Sequence, residues 1–370
     1  MKIICQKSDL LNSVNIALKA VSAKSTMPIL ECLIIEASSL GIKLIANDME
    51  IGIETNVKGN MIEEGMVALN AKVFSEIIRK IPENEVSIST NEKYLTEIIC
   101  EKARFSIVGR SGEEFPAFPE IEKENPLLLS QFTLKEIIRQ TVFSISDNES
   151  NKIMTGELFD IKKNELRVIS LDGHRISIRK IFMKEEYEER KVIIPGKTLN
   201  EISKILSGEA SSSVKIYFTE KHALFEFDET VVVSRLIEGE YYRIDQMLSS
   251  DYETKVEINK KELLSCIERA SLLIRETDKK PIIVHIGEKN LELSINTAIG
   301  SMKEEIDIEL EGKDIVIGFN PKFLMDALRV IDDETVEIYL INPKAPCFIR
   351  DKDQSYIYLI LPVNIQVQAD

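Results

Sequence analysis

Three lysines recur at a fixed interval. Lys72, Lys197 and Lys322 lie 125 and again 125 residues apart, each opening a short amphipathic stretch (LNAKVFSEIIRKI, IPGKTLNEISKIL, FNPKFLMDALRVI). A repeated surface cation suits a diffuse polyanion, because phosphate contacts are spread and blind to sequence. A second cluster, LDGHRISIRK (171–180), sets His174 and Arg175 beside an Asp-Gly turn, between apolar Leu171 and Ile176. A two-residue Asp-Gly hairpin accounts for the turn, and His174 fits either a satisfied structural histidine or a ligand contact. Catalytic patterns fail. IPGKTL ends like a phosphate loop, but the glycine required five residues before Gly196 is replaced by Lys191. His174, His222 and His285 are far apart, without metal-ligand spacing, and there is no Gly-x-Ser-x-Gly elbow. Acidic pairs such as Asp332–Asp333 and Glu185–Glu186 read as solvated loop charge. The five cysteines are scattered and odd in number, which argues against a disulfide framework or a CxxC metal site and fits a reducing cytoplasm. No catalytic constellation, metal or cofactor is expected.

The elements that position these residues repeat as well. Each lysine stretch carries apolar residues at helical spacing, as in Val73, Phe74, Ile77, Ile78 and Ile81, and leads into an alternating strand: EVSIS, SVKIYF or TVEIYL. A second helix is predicted near the start of each third, over 8–24, 133–146 and 260–275, with Ser8 and Thr133 as N-caps. Strand pairs follow: LIIEAS with GIKLIAND, GELFDI with ELRVIS, PIIVHI with NLELSIN. Asp48, Asp172 and Thr297 fall at equivalent points. The chain of 370 residues therefore reads as three copies of one α+β domain, each with two helices and antiparallel sheets, over 1–122, 127–247 and 250–370. Its net charge is −15, yet each of the six helical stretches is positive, +8 together, leaving −23 for the rest. One surface facing a polyanion explains that split, although helix surfaces also favour Lys and Arg intrinsically. The longest apolar runs, such as Tyr356 to Val363, are too short for a bilayer, and the N-terminus MKIICQKSDLL has no signal-like run.

The chain resembles the bacterial sliding clamps, the beta subunits of DNA polymerase III. The resemblance is carried by the MKI start, TMPIL (26–30), ANDMEIGI (46–53), RFSI (104–107), LDGHRISI (171–178), LIEG (236–239) and YLILPV (358–363), set in the triple repeat. It implies a non-catalytic cytoplasmic processivity factor: two chains head to tail in a ring around double-stranded DNA, with twelve helices lining the hole. At about 10 Å per helix, that hole is just under about 30 Å across. The implied partners are the replicative polymerase, the clamp loader and other proteins bearing a clamp-binding motif, a short linear peptide rich in Leu and Phe with a Gln near its start, with no membrane contact.

The resemblance also implies sites. The partner-peptide pocket takes Met154, Leu171, Gly173, His174, Arg175, Ile176, Tyr242, Gln246, Met247, Leu359, Leu361, Pro362 and Val363, with the Asp-Gly turn expected to expose Leu171 and Ile176. The same spacing of Leu359 and Leu361 would mark ordinary strand core. A chain cut before Leu359 is expected to lose peptide binding and remain a folded dimer. DNA contacts fall to Lys24, Lys72, Lys197 and Lys322, then Arg79, Lys80, Arg139, Lys204 and Arg275, with Asn148 as a polar contact; each lysine alone also fits a solvated surface residue. The dimer contact sets Arg104 and Phe105 against Leu272 and Leu273 of the other chain. The run Leu272, Leu273, Ile274 forms an apolar knob that is covered either by that partner or by its own domain. Many relatives carry proline at Tyr242, arginine at Gln246 and arginine at Asn364, and stop before the extension Gln366–Asp370, so peptide preference is expected to differ. Two other classes compete. A nucleotide hydrolase or transferase on a triplicated fold lacks its phosphate loop and catalytic pair here. A peptide-binding scaffold that never touches DNA leaves the basic helices unexplained, and retention on circular but not linear DNA separates it from a clamp.

Overall fold

The computed structural model describes residues 1–22, 24–275 and 280–365. Among these, six α-helices accompany four antiparallel sheets, and no helix is long and apolar enough to cross a membrane. The helices are α1 Lys7–Ala17, α2 Ala71–Lys80, α3 Gln131–Thr141, α4 Gly196–Ile205, α5 Lys260–Ser271 and α6 Pro321–Val330. In α2, Ala71, Phe74 and Ile78 are buried while Lys72, Arg79 and Lys80 are exposed, the arrangement of a one-faced helix. Its start is fixed by Asn70, whose side chain accepts from the Val73 N–H; Asn259 and Asn320 do the same for α5 and α6.

Helices α1 and α3 start earlier than the sequence reading, and α1, α3 and α5 all end earlier; the starts have one reason. Helices α1, α3 and α5 begin directly where a strand ends. The N–H groups of Lys7, Gln131 and Lys260 bond the carbonyl oxygens of Asn84, Ser212 and Glu334. The caps therefore sit at Gln6, which offers no side-chain bond, and at Ser130, whose hydroxyl accepts from Thr133 N–H (3.0 Å), rather than at Ser8 and Thr133. Helix α1 also stops at Ala17, followed by one 3-10 turn, Leu18–Ala20. Beyond it Ser22 N–H bonds Leu30 O, so Lys24 lies off the helix and Ala23 lies outside the described residues. With Lys7 and Asp9 as its only charges, α1 is neutral, and the basic surplus belongs to the other five helices.

The chain divides into two units, Met1–Lys135 with Lys197–Leu236, and Glu136–Gly196 with the chain from Ile237 onward. The first holds an eight-stranded sheet in the order Leu127–Ser130, Ser213–Phe218, His222–Phe227, Thr230–Arg235, Ile51–Val57, Gly41–Asn47, Cys32–Ser38, Gly65–Asn70. It also holds a five-stranded sheet ending in Leu95–Cys100 and Ala103–Val108. The second unit holds a seven-stranded sheet that begins Gly156–Leu171, Arg175–Pro195, Tyr356–Ile360, Cys347–Arg350. Its four-stranded sheet has Gly300–Asp307 at one edge. Both large sheets thus combine strands of the central copy with strands of a terminal one. Val232 pairs with Ile53, and Ile176 with Leu359. The first joint is sealed by the buried Thr55 and Thr230 hydroxyls, 2.8 Å apart.

The repeat is visible at the hairpin turns. Asp48, Asp172 and Thr297 each close a two-residue turn, after the pairs Asn47↔Gly52 and Leu171↔Ile176 and within the pair Thr297↔Gly300. Asp48 Oδ1 accepts from the N–H groups of Glu50 and Ile51, and Asp172 Oδ1 accepts from those of His174 and Arg175.

Candidate functional site

At the central hairpin, Asp172 N–H bonds Arg175 O, so the turn residues are Gly173 and His174, one position later than the Asp-Gly reading. Gly173 has φ +90°, the left-handed geometry that the first turn position of this hairpin class demands. His174 is exposed, and its carbonyl oxygen accepts from Leu361 N–H (2.8 Å), tying the turn to the C-terminal YLILPV segment. Arg175 is placed otherwise. It is 6% exposed; Nε bonds Asp172 Oδ2 (2.9 Å), Nη1 bonds Asp326 Oδ2 (2.7 Å) and Nη2 bonds Phe143 O (2.6 Å). Its guanidinium also lies over the Phe323 and Phe143 rings, at 4.6 and 5.4 Å. Three of its five N–H donors are spent inside the protein and its side chain is buried, so Arg175 holds the turn rather than standing exposed beside it.

The apolar candidates separate into floor and rim. Leu171, Ile176 and Leu359 are buried in one cluster with Tyr241, Tyr339 and Phe348, with Met154 packed half-buried against it. The expectation that the turn exposes Leu171 and Ile176 is corrected: both face the core, because Ile176 pairs with Leu359 inside the sheet. The exposed apolar surface belongs to Tyr242, Met247 and Leu361, with Pro362 and Val363 intermediate. Val363 N–H bonds Gly318 O. Tyr242 is held by Asn151, whose amide donates to its hydroxyl (2.6 Å). Tyr242 and Gln246 line a cleft of about 690 Å³ with Arg167, Asp245 and Tyr241 that includes none of the other candidates. Arg167 bonds Asp245 (2.8 Å) and holds its carboxyl below the usual carboxylate range. Strand Tyr356–Ile360 is interior to its sheet, so a cut before Leu359 removes part of a central strand. The expected folded dimer is replaced by a destabilised one, and Leu361→Ala is the cleaner probe. Gln366–Asp370 lie outside the described residues.

The candidate DNA residues are exposed, apart from half-buried Arg139, and five of the ten are held in ion pairs. Lys197 bonds Asp48 (2.7 Å), Lys204 bonds Glu201 (2.7 Å), Lys322 bonds Asp326 (2.7 Å) and Arg79 bonds Glu76 (2.7 Å). Arg139 bonds Glu136 and Asp332 and is held above its ordinary pKa, chiefly by the Glu136 hydrogen bond. Among the described residues, Lys24, Lys72, Lys80 and Arg275 form no ion pair, and Asn148 is exposed in a turn where its side chain caps Ser150 N–H. Sequence reasoning missed Asp326 and Phe323. The Lys322–Asp326 pair has a visible i,i+4 spacing, but Arg175 lies 151 residues from Asp326 and has no local signature.

Of the interface candidates, Arg104 and Phe105 lie on an edge strand, both exposed, beside Val108 at 79% exposure. The apolar knob divides. Leu273 and Ile274 pack against their own core, while Leu272 is 79% exposed. Leu272→Asp is therefore expected to raise the dimer dissociation constant about thirtyfold or more, the effect of an interface anchor worth about 2 kcal/mol, with the melting of the separate chain unchanged. Sedimentation against concentration checks this, and a dimer of undiminished strength places the interface elsewhere. Leu273→Ala mixes interface loss with core loss and is the poorer test.

Comparisons with known proteins agree along the whole chain. Residues 1–119, 128–242 and 245–364 match, in order, the N-terminal, central and C-terminal domains of the DNA polymerase III beta subunit. The Beta sliding clamp of Staphylococcus epidermidis is 36% identical, over 98% of this chain and 99% of its own length; that of Staphylococcus aureus is 34% identical over the same shares. A putative DNA polymerase III beta subunit from Eubacterium rectale superposes with TM-score 0.96 at 62% identity, covering 99% of each chain. The DNA polymerase sliding clamp of Bacillus subtilis superposes with TM-score 0.94 at 35% identity, covering 99% of this chain and 100% of that one. On this full-length agreement in sequence and fold, the chain belongs to the DNA polymerase III beta subunit family, the bacterial sliding clamps.

Proposed function

We infer that the protein is the DNA sliding clamp of its replicase, a non-catalytic ring that holds the polymerase on its template. The carrying observation is the ordered succession of the three family domains over residues 1–119, 128–242 and 245–364. In this reading the domains are 1–122, 127–247 and 250–370, and two chains close head to tail in the cytoplasm through Arg104, Phe105, Leu272 and Leu273. Partner peptides dock beside His174, over the floor of Leu171, Ile176 and Leu359 and against the rim of Tyr242, Met247 and Leu361. The exposed apolar rim next to a buried apolar floor supports that placement, and adaptable Met and Leu side chains suit varied aliphatic anchors. Retention on closed circular DNA, with release once the circle is cut, tests the encirclement; equal retention on both forms overturns it.

DNA contact follows from the basic helices, and the ion pairs rank the contributors. An unpaired lysine offers its whole charge to a phosphate, whereas a lysine on a carboxylate must first give up that bond. Neutralising Lys72 and Lys80 is therefore expected to flatten the plot of log affinity against log salt by about 0.9 for each phosphate left without its cation, and Lys204→Gln by clearly less. Titration of a short duplex across a salt series checks this. Equal changes for the paired and unpaired lysines would refute the ranking.

A further inference from the structure

We propose that Asp326 is a positioning residue that couples DNA contact to partner binding. This rests on the reading that Lys322 meets the phosphate backbone and that the Gly173–His174 turn meets the partner peptide. One oxygen, Asp326 Oδ2, accepts from both Lys322 Nζ and Arg175 Nη1, each at 2.7 Å. The two donors differ in freedom. The Lys322 side chain is 65% exposed and that of Arg175 is 6% exposed. Lys322 can swing to a phosphate without leaving a buried site, and Arg175 cannot. An oxygen shared by two cations binds each less firmly than it would bind one. When a phosphate draws Lys322 away, Asp326 bonds Arg175 alone, in a mostly buried pair where a charge-assisted bond is strong. Arg175 then grips Asp172, which holds the turn through the N–H groups of His174 and Arg175. A firmer turn leaves less ordering to be done when a peptide docks, so affinity rises. Linkage makes the effect reciprocal: a docked peptide favours the same arrangement and frees Lys322 for DNA.

The first unit supplies an independent observation. There the repeat counterpart of Lys322, Lys197, bonds the counterpart of Asp172, Asp48 Oδ2, directly at 2.7 Å. The position corresponding to Arg175 is the buried Ile51. A tie between helix-start lysine and hairpin-turn aspartate thus occurs in both units, and only in the second is it lengthened by an inserted arginine and a shared carboxylate.

The test is the affinity of a fluorescent peptide, rich in Leu and Phe with a Gln near its start, for the full-length protein with and without saturating short duplex at low salt. The duplex is expected to strengthen peptide binding about fivefold in the wild type, at the low end of couplings between distinct sites. Lys322→Gln is expected to bind peptide at the strengthened level throughout, with no further response to duplex. Lys72→Gln should retain the response once duplex is saturating. Asp326→Asn should abolish the response, whereas a purely structural Asp326 would lower affinity equally in both conditions. A wild type without response, a Lys322→Gln protein with the full response, or equal loss in Lys72→Gln each overturns the relay. Failure of the wild type to bind either peptide or duplex would instead overturn the clamp reading and the relay with it.

Discussion

Glu157→Leu is expected to stabilise the protein by about 4 kcal/mol more at pH 8.5 than at pH 4.5. Glu157 is fully buried in strand Gly156–Leu171, opposite Ile194, and neither carboxyl oxygen has a hydrogen-bond partner. The neighbouring Thr141 hydroxyl donates instead to Ile137 O (2.7 Å). Burial pushes the carboxyl up from 4.5 to about 8. The sign follows from proton uptake. Between pH 4.5 and about 8 the unfolded chain has lost this proton while the folded chain keeps it, so rising pH favours unfolding. The stabilising difference is whole below pH 4.5, declines by about 1.4 kcal/mol per pH unit, and levels off above about 8. Leucine removes the titration, and it is the residue type the repeat already uses: Leu33 and Ile282 occupy the corresponding positions, both fully buried. Denaturant melts of wild type and variant from pH 4.5 to 9 read the difference directly, and other carboxylates cancel in it. A stability gap that stays constant with pH would show that Glu157 does not titrate in this way.

Arg175→Ala is expected to cost about 3–5 kcal/mol, the range for removing one partner of a buried ion pair. Asp172 and Asp326 would face each other's surroundings without their shared cation, Phe143 O would lose a donor, and two aromatic rings would lose the guanidinium above them. Arg175→Lys should restore little, because one ammonium cannot replace three donors spread over a planar fork. Adding Asp326→Asn to Arg175→Ala should cost less than the sum of the two single changes, since the second removes the charge that the first stranded. Strict additivity in that cycle would mean that the two residues do not act as a pair.

The repeat was legible because it rests on local features. Turn geometry needs an Asx or Thr side chain and the right neighbours, so Asp48, Asp172 and Thr297 announce three equivalent hairpins. Amphipathic spacing likewise locates six helices, although α1, α3 and α5 end at Ala17, Thr141 and Ser271, short of the 24, 146 and 275 that the pattern gave. What local pattern could not supply was pairing between distant segments. Lys197 and Asp48 are 149 residues apart, and Arg175 and Asp326 are 151. The DGHR cluster marked the right hairpin, but an arginine beside an exposed turn reads as a surface donor until Asp326, Phe323 and Phe143 are brought over it. Glu157 was invisible for the converse reason. Within GELFDI it looks like the polar member of an alternating strand, and only packing on both faces makes it a core residue.

The division of the central copy between two large sheets sets an order of events during synthesis. Strand Thr230–Arg235 can pair with Ile51–Val57 once the ribosome has passed the second copy, closing a loop of well over a hundred residues. The hairpin of Gly156–Leu171 and Arg175–Pro195 must wait for Tyr356–Ile360, near the very end of the chain. Until then the hairpin presents an open edge with Ile176 and Ile178 uncovered. Such pairings carry a high loop-closure cost, so folding is slow relative to a protein rich in local contacts. A nascent chain stalled before residue 356 should expose a sticky strand edge and call on a chaperone, while its first unit is already complete.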